Sequence, residues 1–275
     1  MAETSSRWRI KKAARKTMVL GSLASSSVAL RRLTGKPKVR VITYHRFGDV
    51  DHDPWWLPAR VFDEQVRWLA ERQLAISLDQ LSRFVRGEIE LRAGSVLITI
   101  DDGCASVATV AAPVLRRYAI PAVAYVTTRA IGNLAAGKAS GGPYLTWDQT
   151  ASLGDSGIAV GSHSVTHRSL ARLAPDEIRE EGLRSKGLIE SRIGKKVISF
   201  AYPFGMRRDE NTLTEKILAD CGYSSIFISQ HGTIQQGSNP LRLPRIKVEA
   251  GDALWMFKVL CEGGMDAWSL VDRVI

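Results

Sequence analysis

Three short segments carry the residue types that hydrolytic chemistry needs: Thr99-Ile100-Asp101-Asp102-Gly103, His163-Ser164-Val165-Thr166-His167 and Phe200-Ala201-Tyr202-Pro203-Phe204-Gly205. They hold two adjacent carboxylates, a pair of imidazoles and a loop shaped by Pro and Gly. Two imidazoles and one carboxylate leave a position for water on a divalent ion, which is the inventory of a mononuclear metal hydrolase. If the stretch after Gly161 begins a helical turn, residues four apart stand about 40° from each other around the axis, so His163 and His167 close on one ion. The pair follows Ile158-Ala159-Val160, an apolar β-type run, and therefore stands at a strand's carboxyl end, where sites of α/β proteins gather.

Ser95-Val96-Leu97-Ile98-Thr99-Ile100 reads as a fully buried strand running into the acidic pair. Carboxylates at the end of such a strand are costly to desolvate unless a cation or hydrogen-bond donors compensate them. An Asp capping the next helix accounts for one of the two, not both. With a divalent ion, one Asp binds metal while its neighbour takes a proton from water whose pKa the ion lowers to about 7. Spacing does not say which is which, because adjacent strand residues point to opposite faces. In the third segment Pro203 fixes φ and Gly205 allows close backbone approach, so the loop can aim a peptide N–H at a reacting oxygen.

Met in this order, the three segments resemble the polysaccharide deacetylases of carbohydrate esterase family four. The resemblance implies Asp101 as base, Asp102 as metal ligand with His163 and His167, and the Phe204 N–H as an oxyanion donor. It also implies a general acid, which most members draw from a Leu-x-His segment near the C-terminus; no histidine follows His231 here. Instead Val39-Arg40-Val41-Ile42-Thr43-Tyr44 is a strand ending in His45, as in the circularly rearranged branch that includes the poly-N-acetylglucosamine deacetylases. His45 takes the acid role by that resemblance, and His231, in a glycine-bearing polar loop, is expected to be exposed and inert. Ala201 replaces the arginine that commonly opens the third motif, and Ile100 replaces the usual Phe. Arg245 is the candidate for a positive neighbour to the carboxylates. It is grouped with Trp55, Trp56 and Tyr202 as a substrate contact, adjacent tryptophans being suited to stacking on sugar rings.

The elements that must position these residues alternate between strand and helix. Candidate strands are 39–45, 74–77, 96–101, 121–127, 158–162, 197–201, 223–229 and 242–248. Helical stretches include Val61–Gln73, Leu78–Arg86, Ser106–Tyr118, Asp176–Ile193 and Asp209–Cys221, two of them with acidic first turns at Asp176-Glu177 and Asp209-Glu210. This is an α/β pattern in one domain, and about seven units suit a (β/α) barrel. The resemblance implies a distorted, incompletely closed one. Ala130–Tyr144, rich in Gly, Ala and Ser, reads as a long loop and a candidate lid.

Charge is unevenly placed. The formal net charge is +10, and residues 1–40 hold eleven Lys/Arg against Glu3, so this leader carries the whole excess. Residues 39–275 form the barrel domain and 1–38 the leader. The remainder of the chain is formally neutral, which removes the main support for nucleic-acid binding. A basic leader suits an anionic membrane surface. Thr17–Leu30 is uncharged but short for a spanning helix, and a cleaved signal peptide is the alternative. Three cysteines, Cys104, Cys221 and Cys261, imply no disulfide framework and a reducing compartment, so a cytoplasmic protein peripheral at the membrane is expected, export being the alternative.

The expected activity is metal-dependent removal of an N-acetyl group from an acetamido sugar, in a polysaccharide or a lipid- or nucleotide-linked precursor. One divalent metal is expected, zinc first, with other divalent ions open to an Asp-His-His set. The alternatives are O-esterase or deformylase chemistry on the same scaffold, and a metal-free sugar-binding relative.

Overall fold

A computed structural model describes residues 13–21, 38–48, 53, 55–133 and 142–272. Its centre is a seven-stranded, wholly parallel sheet in the order β8-β7-β6-β5-β4-β1-β9. The strands are β1 (Arg40–Tyr44), β4 (Val96–Ile100), β5 (Ala122–Val126), β6 (Ile158–Ser162), β7 (Ser199–Ala201), β8 (Ser225–Phe227) and β9 (Ile246–Lys247). Strands β1, β4 and β5 are buried at every position, which is why they read as continuous apolar runs.

The sheet curls into an incomplete (β/α) barrel. Apart from β1 the spatial order follows the chain; β1 inserts between β4 and β9, in register Tyr44↔Ile100 and Ile42↔Ile246. Its position is the rearrangement expected of the N-terminal strand. The gap between the edges is crossed by one segment, which bridges β8 at Phe227↔Leu243 and then joins β1 through β9. Arg245 lies midway along this closing segment.

Around the sheet lie α1 (13–21), α2 (Ala59–Glu71), α3 (Leu78–Val85), α4 (Ala112–Arg117), α5 (Trp147–Ser152), α6 (Pro175–Ile193), α7 (Thr212–Asp220), α8 (Leu254–Cys261) and α9 (Trp268–Val271). Their starts follow local chemistry: Ser77 with Gln80 and Thr146 with Gln149 form reciprocal capping boxes on α3 and α5. A π-helical turn, Val107–Ala111, leads into α4, where Pro113 lacks the N–H that a regular ladder needs.

Several expected boundaries move. Residues 74–77 contribute one bridge, Ala75↔Val96, rather than a strand. Asp209 and Glu210 are not the first turn of α7, which begins at Thr212 under an Asn211 cap. Both acids are instead buried partners: Asp209 accepts from Ser169 Oγ, and Glu210 from Arg242 and Gln230. Within the leader, α1 packs on the barrel with Val19 in the core, and Arg15 is buried, donating to Glu249 at 3.3 Å and Asp252 at 2.8 Å. The rest of the leader, and 134–141 of the expected lid, lie outside the described residues. Among the described residues no helix is long and apolar enough to cross a membrane.

Candidate active site at the strand ends

Strand β4 delivers the acidic pair through a sharp turn. Asp102 and Gly103 both take positive φ, 75° and 81°. For a non-glycine residue this conformation is uncommon, and it turns Asp102 away from the direction of Asp101. A Cβ on Gly103 would lie 3.2 Å from Ile131 and 3.3 Å from Val126, so this corner leaves little room for a side chain.

Asp101 is buried and held by Arg245, whose two terminal nitrogens donate to its oxygens at 2.7 and 2.8 Å. Burial pushes the Asp101 carboxyl up, but Arg245 and the nearby His163 and His45 outweigh it, and the group sits below its ordinary value. Arg245 is itself fully buried and also donates from Nε to the Ile228 carbonyl. It faces Asp101 from the closing segment, with its guanidinium 5.7 Å from the Tyr125 ring centre. This is the positive neighbour to the carboxylates; a substrate contact by this side chain is not what its burial describes.

Asp102, His163 and His167 converge. Asp102 Oδ1 lies 3.6 Å from His163 Nε2 and 3.4 Å from His167 Nε2. The three residues each offer a ligand atom, all within 4.8 Å of one another. His163 Nδ1 stands 2.7 Å from the Ala201 carbonyl, an acceptor only, so Nδ1 carries the proton and Nε2 presents its lone pair. Burial lowers the His163 pKa to about 4, which keeps the ring neutral as a metal ligand requires. The donor set of two imidazoles and one carboxylate fits zinc and other divalent transition ions.

The two histidines do not sit on a helical turn. Residues 163–167 form an irregular loop, with Ser164 and His167 at φ 67° and 59°. The convergence expected from helical spacing is produced by those two left-handed residues instead.

His45 follows β1 directly. Asp101 N–H donates to the Tyr44 carbonyl at 2.9 Å, so His45 and Asp101 extend the β1–β4 pair by one step and come to the same end of the sheet. A two-stranded pair, β2 (Arg46–Phe47) with β3 (Trp56–Leu57), folds Trp55 back onto His45 with ring centres 4.5 Å apart. His45 Nδ1 is buried without a hydrogen-bond partner among the described residues. Lys247 lies over the other part of this wall, its ammonium 5.3 Å from the Trp55 ring.

A profile described as polysaccharide deacetylase matches residues 88–226, half of the chain, including both carboxylates, both histidines and the Tyr-Pro-Phe-Gly loop. The chain belongs to the polysaccharide deacetylase family. It is 26% identical over 220 residues to a Bacillus subtilis (strain 168) protein provisionally named a polysaccharide deacetylase, YxkH, covering 79% of this chain and 74% of that one. It superposes on IcaB from Ammonifex degensii with a TM-score of 0.70 at 26% identity, over 82% of this chain and 97% of that one. The fold is also that of the Streptococcus pyogenes deacetylase PplD solved with acetate, with a TM-score of 0.72 at 21% identity over 82% and 98% of the two chains.

In this deacetylase-family chain, Phe204 takes φ 61° and leaves its side chain 53% exposed, edge-on to His167 with ring centres 4.9 Å apart. Its N–H donates to no partner among the described residues. Tyr202 is fully buried with its hydroxyl against Thr214, which places its side chain in the core. Trp56 is partly buried and packs against Gly48, where an added Cβ would lie 3.1 Å from its ring. Only Trp55 of the pair faces His45. His231 is not exposed: its Nδ1 pairs with Asp272 Oδ2 at 2.8 Å and its side chain is largely covered. Cys104 is buried and burial pushes its thiol up, which suits a packed side chain.

Arg46 is a site residue that the sequence reading passed over. Its Nη2 lies 3.6 Å from Asp102 Oδ2 and its Nη1 3.9 Å from Asp53. The only signal for it was adjacency to His45.

Proposed function

We propose that this polysaccharide deacetylase is a metal-dependent N-deacetylase acting on an acetamido sugar, in a polymer or a lipid- or nucleotide-linked precursor. The observation that carries the reading is the convergence of Asp102, His163 and His167 beside an arginine-held Asp101 and His45. Asp102, His163 and His167 would hold a divalent ion, which when bound would polarise the acetyl carbonyl and lower the pKa of water to about 7. Arg245 keeps Asp101 ionised, so its carboxylate takes a proton from that water as the carbon–oxygen bond forms. The Phe204 N–H donates to the oxyanion. The carbon–nitrogen bond then breaks as the protonated His45 imidazole gives its proton to the amine; the free amino sugar and acetic acid, which ionises to acetate, leave, and the proton held by Asp101 passes through solvent to restore His45. Trp55 and Phe204 line the approach with aromatic surface suited to a pyranose ring.

One observation favours O-ester hydrolysis as a second reading. The His45 pKa is lowered, chiefly by burial, and a neutral imidazole serves a departing alcohol better than a departing amine, which must be protonated. Acetate release from matched N-acetyl and O-acetyl sugars separates the two, with formate release testing the deformylase alternative. Elemental analysis of the purified protein and of Asp102→Ala tests the metal; wild-type protein without a stoichiometric divalent ion sinks the reading. The leader's cations fit an anionic membrane surface on the cytoplasmic side.

A further inference from the structure

The loop that bears the two histidines has no helical or sheet ladder of its own, yet every peptide N–H from His163 to His167 is hydrogen-bonded. Four consecutive peptide N–H groups donate to side-chain oxygens. Ser164 N–H donates to Ser162 Oγ at 3.2 Å and His167 N–H to Ser164 Oγ at 2.9 Å. Between them, Val165 and Thr166 N–H donate to one oxygen of Glu181, Oε2, at 2.7 and 3.0 Å. The Thr166 hydroxyl donates to the other oxygen, Oε1.

Glu181 comes from the middle of α6, and it is 97% buried, with a relative exposure of 3%. A buried carboxylate is costly unless donors compensate it, and here two peptides and a hydroxyl from one loop do so, with Arg168 at 3.5 Å completing the set. The same contacts stabilise a backbone that needs help. Ser164 and His167 both occupy the left-handed region, a conformation worth of order 1–3 kcal/mol of strain each for residues other than glycine. The α6 face around Glu181 reinforces the anchorage, since Ser185 Oγ meets Ser162 Oγ at 2.7 Å.

We propose that Glu181 is a positioning residue for the metal centre. It clamps the Val165–Thr166 peptides so that His163 and His167 present both Nε2 atoms to Asp102, and so pre-forms the site before any ion arrives. This rests on the metal reading above. Its consequence is specific: the carboxylate touches neither ligand nor substrate, yet sets how tightly the ion is held. Groups that orient metal ligands typically contribute ~10–100-fold in affinity.

The test is Glu181→Gln, which keeps shape while placing an amide donor against the loop's donors. Zinc affinity by competition with a chromophoric chelator, and the visible spectrum of the cobalt(II) form, are read in wild type, Glu181→Gln and Ile189→Val. The last trims a buried residue of the same helix away from the loop and controls for general loosening. Glu181→Gln should weaken affinity ~10–100-fold and change the cobalt spectrum, while Ile189→Val leaves both as in wild type. If Glu181→Gln does not fold, Thr166→Val removes one donor to the same carboxylate and should weaken affinity in the same direction by several-fold. Wild-type affinity and spectrum in Glu181→Gln, or in Thr166→Val where that is the variant measured, would overturn the role of Glu181 alone. Absence of metal uptake by the wild-type chain would overturn the metal reading, and the clamp with it.

Discussion

Arg245 grips Asp101 with both terminal nitrogens, at 2.7 and 2.8 Å, across a separation of 144 residues. The arginine that commonly opens the third motif is Ala201 in this chain. Its carbonyl instead fixes His163, while Arg245, from the segment that closes the barrel, supplies the charge beside the carboxylate.

Removing that guanidinium leaves a buried carboxylate without its main partner. Arg245→Met should destabilise the protein by about 3–5 kcal/mol in denaturant unfolding. Asp101 has a lowered pKa in the fold, so its contribution is present above the ordinary carboxylate value and is lost as pH falls through the folded value. Without Arg245 the burial effect dominates and the carboxyl rises. A base must be ionised, so the acidic limb of kcat/KM should move to higher pH, and an unmoved limb would remove Asp101 from the base role.

Asp101 and Asp102 should fail differently. Asp101→Asn is expected to keep its metal and lose ~10²–10⁴-fold in turnover, because it abolishes proton abstraction in the transition state. Asp102→Asn should lose metal. Metal content of the two variants decides the assignment, and the opposite pattern reverses it.

The alkaline limb of the pH–rate profile should report His45. Burial lowers its pKa, Lys247 and Arg245 add to that, and Asp102 and Asp101 oppose it. An acid works in its protonated form, whose fraction falls as pH rises through the pKa. The limb in kcat/KM should therefore lie below the ordinary imidazole value of about 6.5. Lys247→Met should move it upward, and His45→Ala should abolish it. A limb centred well above the ordinary value and indifferent to both variants would assign the acid elsewhere.

Arg15 makes part of the leader integral to the barrel. Its guanidinium enters between Glu249 and Asp252, each almost wholly buried, and also donates to the Lys247 carbonyl on β9. Arg15→Ala should cost about 3–5 kcal/mol, and a chain starting near Pro37 should show a comparable loss. Denaturant midpoints matching wild type in both would show that α1 is dispensable. Salt-sensitive binding to anionic vesicles, compared between the full chain and one starting at residue 13, tests the leader's remaining cations.

Much of the site was legible along the chain because its parts are local. Buried parallel strands announce themselves as uninterrupted apolar runs, and Asp101-Asp102, His163, His167 and His45 each stand within a few residues of the end of one. The family resemblance followed from those short segments, and so did the barrel and the roles it implies. What the chain could not express is partnership across it. Arg245 beside Asp101, Glu181 under the histidine loop, Asp272 on His231 and Arg15 between two acids each join residues far apart in sequence, and no periodicity encodes such a meeting. The same limit applies to the aromatic side chains. Tyr202 carries sugar-binding chemistry in its side chain, but whether an aromatic ring faces a cleft or the core depends on which neighbour covers it, and Tyr202 is covered. The histidine spacing suggested a helix, whereas two left-handed residues and four side-chain-bound peptides brought the rings together, because a buried loop can take its hydrogen bonds from a distant helix as well as from its own backbone.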